Sequence, residues 1–239
     1  MGEYGTPNID IEEGWIDINH NGRSDKFLYP RAAASLYHTT KVLDTDLIWF
    51  YVRTHGIRVT DLMQGPVYGF LTPETSLHDK LLPIFNYDDI FGTVFNRFIV
   101  QAVANYPLTI YGKGGQTRGY LNINDTLQCV ELAVQNPCAC GELRIINQFT
   151  ETFSVNTIAA HVQKAGKKFG MDVQIENLPN PRKEKEEHYY NPKHSSLLGL
   201  GLKPIYLNEE VMGNMIKKVQ EYKSNINKSI IAPRVAWKD

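Results

Sequence analysis

The sequence predicts an α/β fold, on three observations. Runs rich in Ile, Val and Thr, such as "IRVTDLMQ", "LTIY" and "ELRIINQ", are short and end at turn residues, as strands do. Between them stand runs with a helical apolar period, the longest being "SLYHTTKVLDTDLIWFYVRTHG". The links are short, and helix followed closely by strand is the signature of an α/β sheet.

In order along the chain, "MGEYGTPN" reads as the end of a strand running into a loop, and residues 9–30 read as polar and turn-rich. A helix is predicted from near Ala33 to Gly56, which suits a left-handed C-terminal cap. "IRVTDLMQG" is a strand, and residues 70–86 are a long loop. "YDDIFGTVFNRFIVQAVANYP" is helical until Pro107, where the missing N–H ends the pattern. "LTIYG" and "RGYLNI" are strands separated by the turn cluster "KGGQ". "NDTLQCVELAVQNP" is a helix with Asn124 as its N-cap, and "GELRIINQ" is a strand. "SVNTIAAHVQKAGKKFG" is a helix between a capping serine and a closing glycine. "MDVQIENLP" is a strand, and two helices follow, one near 192–200 and one after Asn208.

Composition narrows the function classes. The 239 residues are 42% hydrophobic and 21% charged, with a net charge of -1. That balance gives no general attraction to nucleic acid or anionic membranes, so anion binding must come from a few placed arginines. No run reaches the roughly 20 apolar residues of a membrane span. The first residues lack the basic and apolar regions of a signal peptide. Three cysteines do not make a disulfide framework, so a reducing compartment is expected. Cys138-Ala-Cys140 has no further ligands at zinc spacing. "DINHNGRSDKFL" imitates an EF-hand loop but has Leu28 where a bidentate Glu is needed. No metal site is expected.

The chemistry centres on "YHTTK". Tyr37 and Lys41, four apart, share a helix face. A free phenol has a pKa near ~10, and a neighbouring ammonium favours phenolate. Such a pair suits proton removal from a hydroxyl while hydride leaves the carbon. Taken alone, the spacing also fits an ordinary amphipathic surface pair.

The wider context resolves this. "YHTTK", "LMQGPVYG" and "LTIYGKGGQTRGYLNINDT" together resemble the extended short-chain dehydrogenase/reductases, the nucleotide-sugar epimerase/dehydratase family. "MGEYGTPNIDIEEGWI", "FGTVFNRFIVQA", "NQFTETFSVN" and "NPRKEKEEHYYNPKH" carry the resemblance along the whole chain. Within the family the likeness is to enzymes that add sulfite to an oxidised UDP-glucose.

The resemblance implies the C-terminal part of a doubly wound, Rossmann-type parallel sheet with an interleaved nucleotide-sugar domain. Residues 1–70 would belong to the NAD-binding domain and 71–239 to the UDP-sugar domain. It also implies that the glycine-rich dinucleotide loop, and a catalytic threonine just before "MGEYG", belong to an N-terminal half that this chain lacks, so that the chain alone is inactive.

The implied cofactor is recycled NAD, and the implied substrates are UDP-glucose and sulfite. Tyr37 would take the proton of the 4-hydroxyl, with Lys41 holding the nicotinamide ribose. Oxidation at C4 would acidify C5, water would leave across C5 and C6, sulfite would add to C6, and C4 would be reduced again. Related dehydratases place an Asp-Glu pair where Met1 and Gly2 stand, so another group must move the protons. His38 is the candidate, against the alternative that it packs at the helix edge. Gln64 and Val67 would line the cofactor, Gln64 also touching sugar. Thr93, Arg97, Gln116, Arg118 and Arg182 would seat the UDP-sugar, with Arg182 on the diphosphate as a forked guanidinium. A homodimer, a sulfite donor such as glutamate synthase, and a cytoplasmic or plastid-stromal location are further implications. The rival readings are a UDP-glucose 4-epimerase or 4,6-dehydratase, and a non-catalytic UDP-sugar-binding piece.

Overall fold

The structure, a computed structural model, describes residues 2–180 and 188–232. Its elements in chain order are β1 (Trp15–His20), β2 (Arg23–Leu28), α1 (Leu36–His55), β3 (Val59–Gln64), β4 (Val67–Tyr68), α2 (Val94–Val103), β5 (Leu108–Tyr111), β6 (Thr117–Asn122), α3 (Ile123–Gln135), β7 (Leu143–Gln148), β8 (Glu151–Ser154), α4 (Val155–Lys168), β9 (Ile175–Leu178), α5 (Ser196–Gly199) and α6 (Glu209–Glu221). The architecture is α/β, as the patterning predicts.

The chain forms two units and passes between them repeatedly. The first comprises Met1–Gly65, Asp125–Thr150 and His188–Pro204, and the second Pro66–Asn124, Glu151–Glu187 and Ile205–Asp239.

In the first unit β3 and β7 run parallel, in register from Val59 opposite Leu143 to Gln64 opposite Gln148. Val52, Met63, Leu143, Ile145 and Phe149 are buried with Tyr4, Ile11 and Tyr29 in one core. Each large apolar side chain so buried contributes about 1.5–3 kcal/mol. α1 begins at Ser35, whose side chain caps it, and ends at Gly56, whose φ of 65° needs no Cβ to be relieved. Trp15 anchors the β1–β2 hairpin, meeting Trp49 of α1 edge-on at 5.0 Å and donating to the Leu143 carbonyl.

In the second unit α2 is buried along most of its length, Phe95 and every residue from Arg97 to Val103 being buried. It packs against α4 and α6. β6 pairs parallel with β4 and antiparallel with β8, while β5 pairs parallel with β9. Tyr68, Phe95, Tyr120 and Phe153 stack as an aromatic chain through this core.

Four local expectations are corrected. Gly2–Tyr4 is a 3-10 turn and not a strand end: it packs at the start of α1, and Tyr4 donates to Asn147 Oδ1. Residues 9–30 hold the β1–β2 hairpin, turned by Asn21 and Gly22 at φ 51° and 72°, a pairing of left-handed residues that hairpins favour. α2 starts at Val94 and not near Tyr87, because the Asp88 carboxylate accepts from Ile90 and Phe91 N–H and holds a turn there. α3 starts at Ile123: Asn122 Oδ1, not Asn124, accepts the first N–H.

Candidate active site

The first unit carries Tyr37, His38, Lys41 and Gln64. Ser35 starts α1 and puts Tyr37 and His38 in its first turn, with Lys41 one turn on. Tyr37 is 66% exposed, so its phenol is open to a ligand. The Lys41 ammonium stands 5.9 Å from the Tyr37 ring centroid, on the same face. It is held there by Asp44 at 2.7 Å, and that hydrogen bond raises the ammonium's pKa above the ordinary lysine value. Lys41 is therefore a fixed positive charge beside the phenol.

His38 is held on two sides. Its Nδ1 is 2.8 Å from Ser35 Oγ, and its ring lies edge-on to Tyr37 with centroids 5.2 Å apart. A Cβ at Gly2 would collide with the imidazole, so glycine there gives the ring its place. Glu3, buried beside them, is within electrostatic range of His38. Ser35 and Gly2 were not among the residues expected from sequence. Ser35 is legible as an N-cap three residues before His38, whereas nothing local links Gly2 to a ring 36 positions away. Gln64 closes β3 opposite Gln148, exposed at the strand's C-terminal end, where α/β sheets place their ligands.

The second unit carries the rest. Val67 pairs with Leu121 on β4 and β6. Thr93 caps α2, and its carbonyl accepts from Arg97 N–H. Arg97 is 8% exposed, with its guanidinium 5.8 Å from the Tyr111 ring centroid. Gln116 donates to the Tyr111 carbonyl, so Arg97 and Gln116 both meet one tyrosine. Gln116 Oε1 is buried without a hydrogen-bond partner among the described residues, an acceptor arranged for a donor. Arg118 is the second residue of β6 and donates to the Thr117 carbonyl. The 112–116 turn is pinned at α4, Asn156 donating to Lys113 and Gly114 carbonyls. Arg182 lies outside the described residues.

No protein-family profile matches the chain. Two curated relatives match all of it. The chain is 55% identical over 238 residues to a chloroplastic UDP-sulfoquinovose synthase of Spinacia oleracea, covering 49% of that protein. It is 45% identical over 241 residues to a UDP-sulfoquinovose synthase of Sulfolobus acidocaldarius, covering 61% of it. The chain thus spans about half to three fifths of the length of these relatives. Among solved structures, a UDP-glucuronic acid 4-epimerase of Bacillus cereus aligns over 91% of this chain and 59% of its own, with TM-score 0.64 and 20% identity. A Thermus thermophilus UDP-glucose 4-epimerase, solved with NAD, aligns over 87% and 61%, with TM-score 0.61 and 19% identity. The fold is that of the nucleotide-sugar epimerases, and the sequence relatives are UDP-sulfoquinovose synthases.

Proposed function

We propose that this chain carries the proton-transfer residues and the UDP-sugar-binding surface of a UDP-sulfoquinovose synthase, which converts UDP-glucose and sulfite to UDP-sulfoquinovose. The observation that carries the reading is the exposed Tyr37 phenol with Lys41 fixed over the same helix face, in a chain 55% identical along its length to such an enzyme.

In this reading Tyr37 and Lys41 would hold the nicotinamide ribose of NAD, and Gln64 and Val67 would touch the cofactor; the exposed phenol with the ammonium on the same helix face supports the first assignment. No Gly-x-x-Gly-x-x-Gly turn occurs in the 239 residues to cradle its phosphates. When bound, NAD supplies the acceptor and later the donor of hydride at C4 of the hexose. Tyr37 accepts the 4-hydroxyl proton, and the Lys41 charge stabilises the phenolate. His38 takes the C5 proton and protonates the departing 6-hydroxyl, giving the 4-keto-5-ene to which sulfite adds. Tyr37 then returns its proton at O4. Gln116 Oε1 accepts from the nucleotide part of the ligand, and Thr93, Arg97, Arg118 and Arg182 seat the UDP and sugar. A sulfite-donating partner such as glutamate synthase, a homodimeric intact protein and a cytoplasmic or plastid-stromal setting belong to the same proposal; among the described residues no helix is long and apolar enough to cross a membrane.

The test is an assay of the protein from the complete gene, with UDP-glucose and NAD, with and without sulfite. The expected result is UDP-sulfoquinovose only when sulfite is present. Formation of UDP-galactose, or of a 4-keto-6-deoxy sugar, assigns the site to an epimerase or dehydratase instead.

A further inference from the structure

Arg31 carries a guanidinium that the fold buries and leaves unpaired. Its Nε, Nη1 and Nη2 are all buried, and none has a hydrogen-bond partner among the described residues. Arg144, by contrast, donates from Nη2 to Thr60 Oγ1 and the Asn136 carbonyl and leaves only Nε over. An arginine does not shed its proton, so at Arg31 a full positive charge stands out of water with no acceptor against it. The Tyr4 phenol is within electrostatic range but does not answer that charge. Burial raises its pKa, outweighing the pull of Arg31, and its O–H donates to Asn147.

Arg31 lines an open pocket of about 250 Å³, together with Thr6, Pro7, Tyr29 and Pro30. Sites for drug-sized ligands begin at roughly 300 Å³, so this one suits a ligand of a few atoms. Its walls are stiff. Pro7 and Pro30 fix φ on two sides, and Tyr29 donates to the Asp10 carbonyl at 2.7 Å and meets Tyr4 edge-on at 5.4 Å. The guanidinium is the part that can move, since no hydrogen bond has to break for it to turn into the pocket. A planar fork of N–H groups with no acceptor of its own selects an oxyanion. The pocket also adjoins the proton-transfer residues through one short turn. Gly2, at its start, packs on His38, and Gly5, just past its end at φ 67°, lies against the Ala32 carbonyl next to Arg31.

We infer that Arg31, with the Thr6 hydroxyl beside it, forms a seat for a small oxyanion, and that sulfite is the oxyanion it takes. The choice of sulfite rests on the function proposed above, which needs that anion held close to the proton-transfer residues until the enone forms; the seat itself does not. A guanidinium that forks onto two sulfite oxygens leaves the lone pair on sulfur unused, so binding does not block the atom that must attack C6. Sulfate and phosphate offer the same oxygens without that lone pair, and they are the comparison ligands.

The test titrates sulfite, sulfate and phosphate into the protein from the complete gene, by calorimetry in a buffer free of other oxyanions. Sulfite is expected to bind most tightly. Arg31→Met should weaken it about tenfold or more, the worth of a charge-assisted hydrogen bond, and Arg31→Lys should keep part of the affinity. Thermal unfolding guards against a variant that only misfolds. Methionine fills the space of the buried stem without the charge, so with no oxyanion present Arg31→Met should melt at or above the wild type. Sulfite should then raise the Tm of the wild type and not of the variant. In turnover, the KM for sulfite should rise about tenfold in Arg31→Met while that for UDP-glucose stays within about twofold. A lower Tm for Arg31→Met in the oxyanion-free buffer means that the guanidinium holds the fold through a protein partner, and the inference fails. Equal sulfite affinity in wild type and Arg31→Met removes the seat from Arg31. Tighter binding of sulfate or phosphate than of sulfite overturns the choice of sulfite. If the wild type does not turn over UDP-glucose with sulfite, the proposed function fails, while the titration still decides the seat by itself.

Discussion

Tyr37 can be stripped of its chemistry without disturbing anything around it. The phenol is exposed, so Tyr37→Phe removes the proton acceptor and no buried hydrogen bond. In the complete protein this change should slow nicotinamide reduction by UDP-glucose by about 100-fold or more while leaving UDP affinity unaltered. Unchanged nicotinamide absorbance would mean that Tyr37 is an ordinary helix residue. Arg182 is assigned to the diphosphate by its motif alone. A charge-assisted pair is worth about 1.5–3 kcal/mol, so Arg182→Ala should weaken UDP and UDP-glucose alike by roughly tenfold or more. Arg182→Lys should recover only part, since an ammonium cannot make the forked contact. Titrating both ligands against the three proteins decides it: equal binding throughout returns Arg182 to the solvated "RKEKEE" run. At this scale the sequence shows whatever lies within one helical turn. Tyr37 and Lys41 are legible because they are four apart. The packing of His38 on Gly2 is not, because a 3-10 turn had to bring the glycine there.

Among the elements, the junction of α2 and β5 depends on one buried amide. Gln101 is 0% exposed; its Nε2 donates to Thr109 Oγ1 at 2.7 Å and to the Ile231 carbonyl, and its Oε1 accepts from Thr109 N–H. Gln101→Leu keeps much of the volume but strands those partners without water. Each stranded buried group costs about 1–3 kcal/mol, so the variant should lose about 2–5 kcal/mol in urea unfolding. A loss below ~0.5 kcal/mol would show that water reaches the junction and that the amide is dispensable. Gly22 is the contrasting case. A Cβ there meets nothing within 4 Å, so only its φ of 72° opposes a side chain. Gly22→Ala should cost about 1 kcal/mol, visible as fraying of the hairpin amides in hydrogen exchange, with β3 and β7 unaffected. Elements with strong local signals sit close to where their patterns put them: α1 ends at Gly56, α4 follows Ser154 and α6 follows Asn208. The hairpin was hidden because both strands are mostly solvent-exposed and show little apolar alternation. β8 was hidden because four residues carry little pattern, and pairing with β6 defines it.

For the molecule as a whole, cofactor affinity follows from what the 239 residues contain. They contain Tyr37 and Lys41, proposed above for the nicotinamide side, but no Gly-x-x-Gly-x-x-Gly turn, so calorimetry on this chain alone should find NAD binding weaker than about 1 mM. Micromolar binding would mean that another part of the chain takes the phosphates. The class of fold was legible because it follows from alternation. An interleaved second domain was implied by the resemblance, but the bounds of the two units were not legible, since each is assembled from three stretches of chain. That assembly has a consequence in biosynthesis. Tyr4 finds Asn147 across 143 residues, Ile11 bridges to Pro192, and Asp10 accepts from Tyr189 across 179. At ~10 residues per second, a ribosome releases the first sixty-odd residues roughly 8 s before β7 and about 13 s before the last of these contacts exist. For that interval α1 displays Leu43, Leu47 and Phe50, exposed even when folded, beside core residues still unpaired. The emerging chain is thus a natural client for holding chaperones. Arrested chains ending near residue 187 should be recovered with them, and chains that reach residue 232 should not.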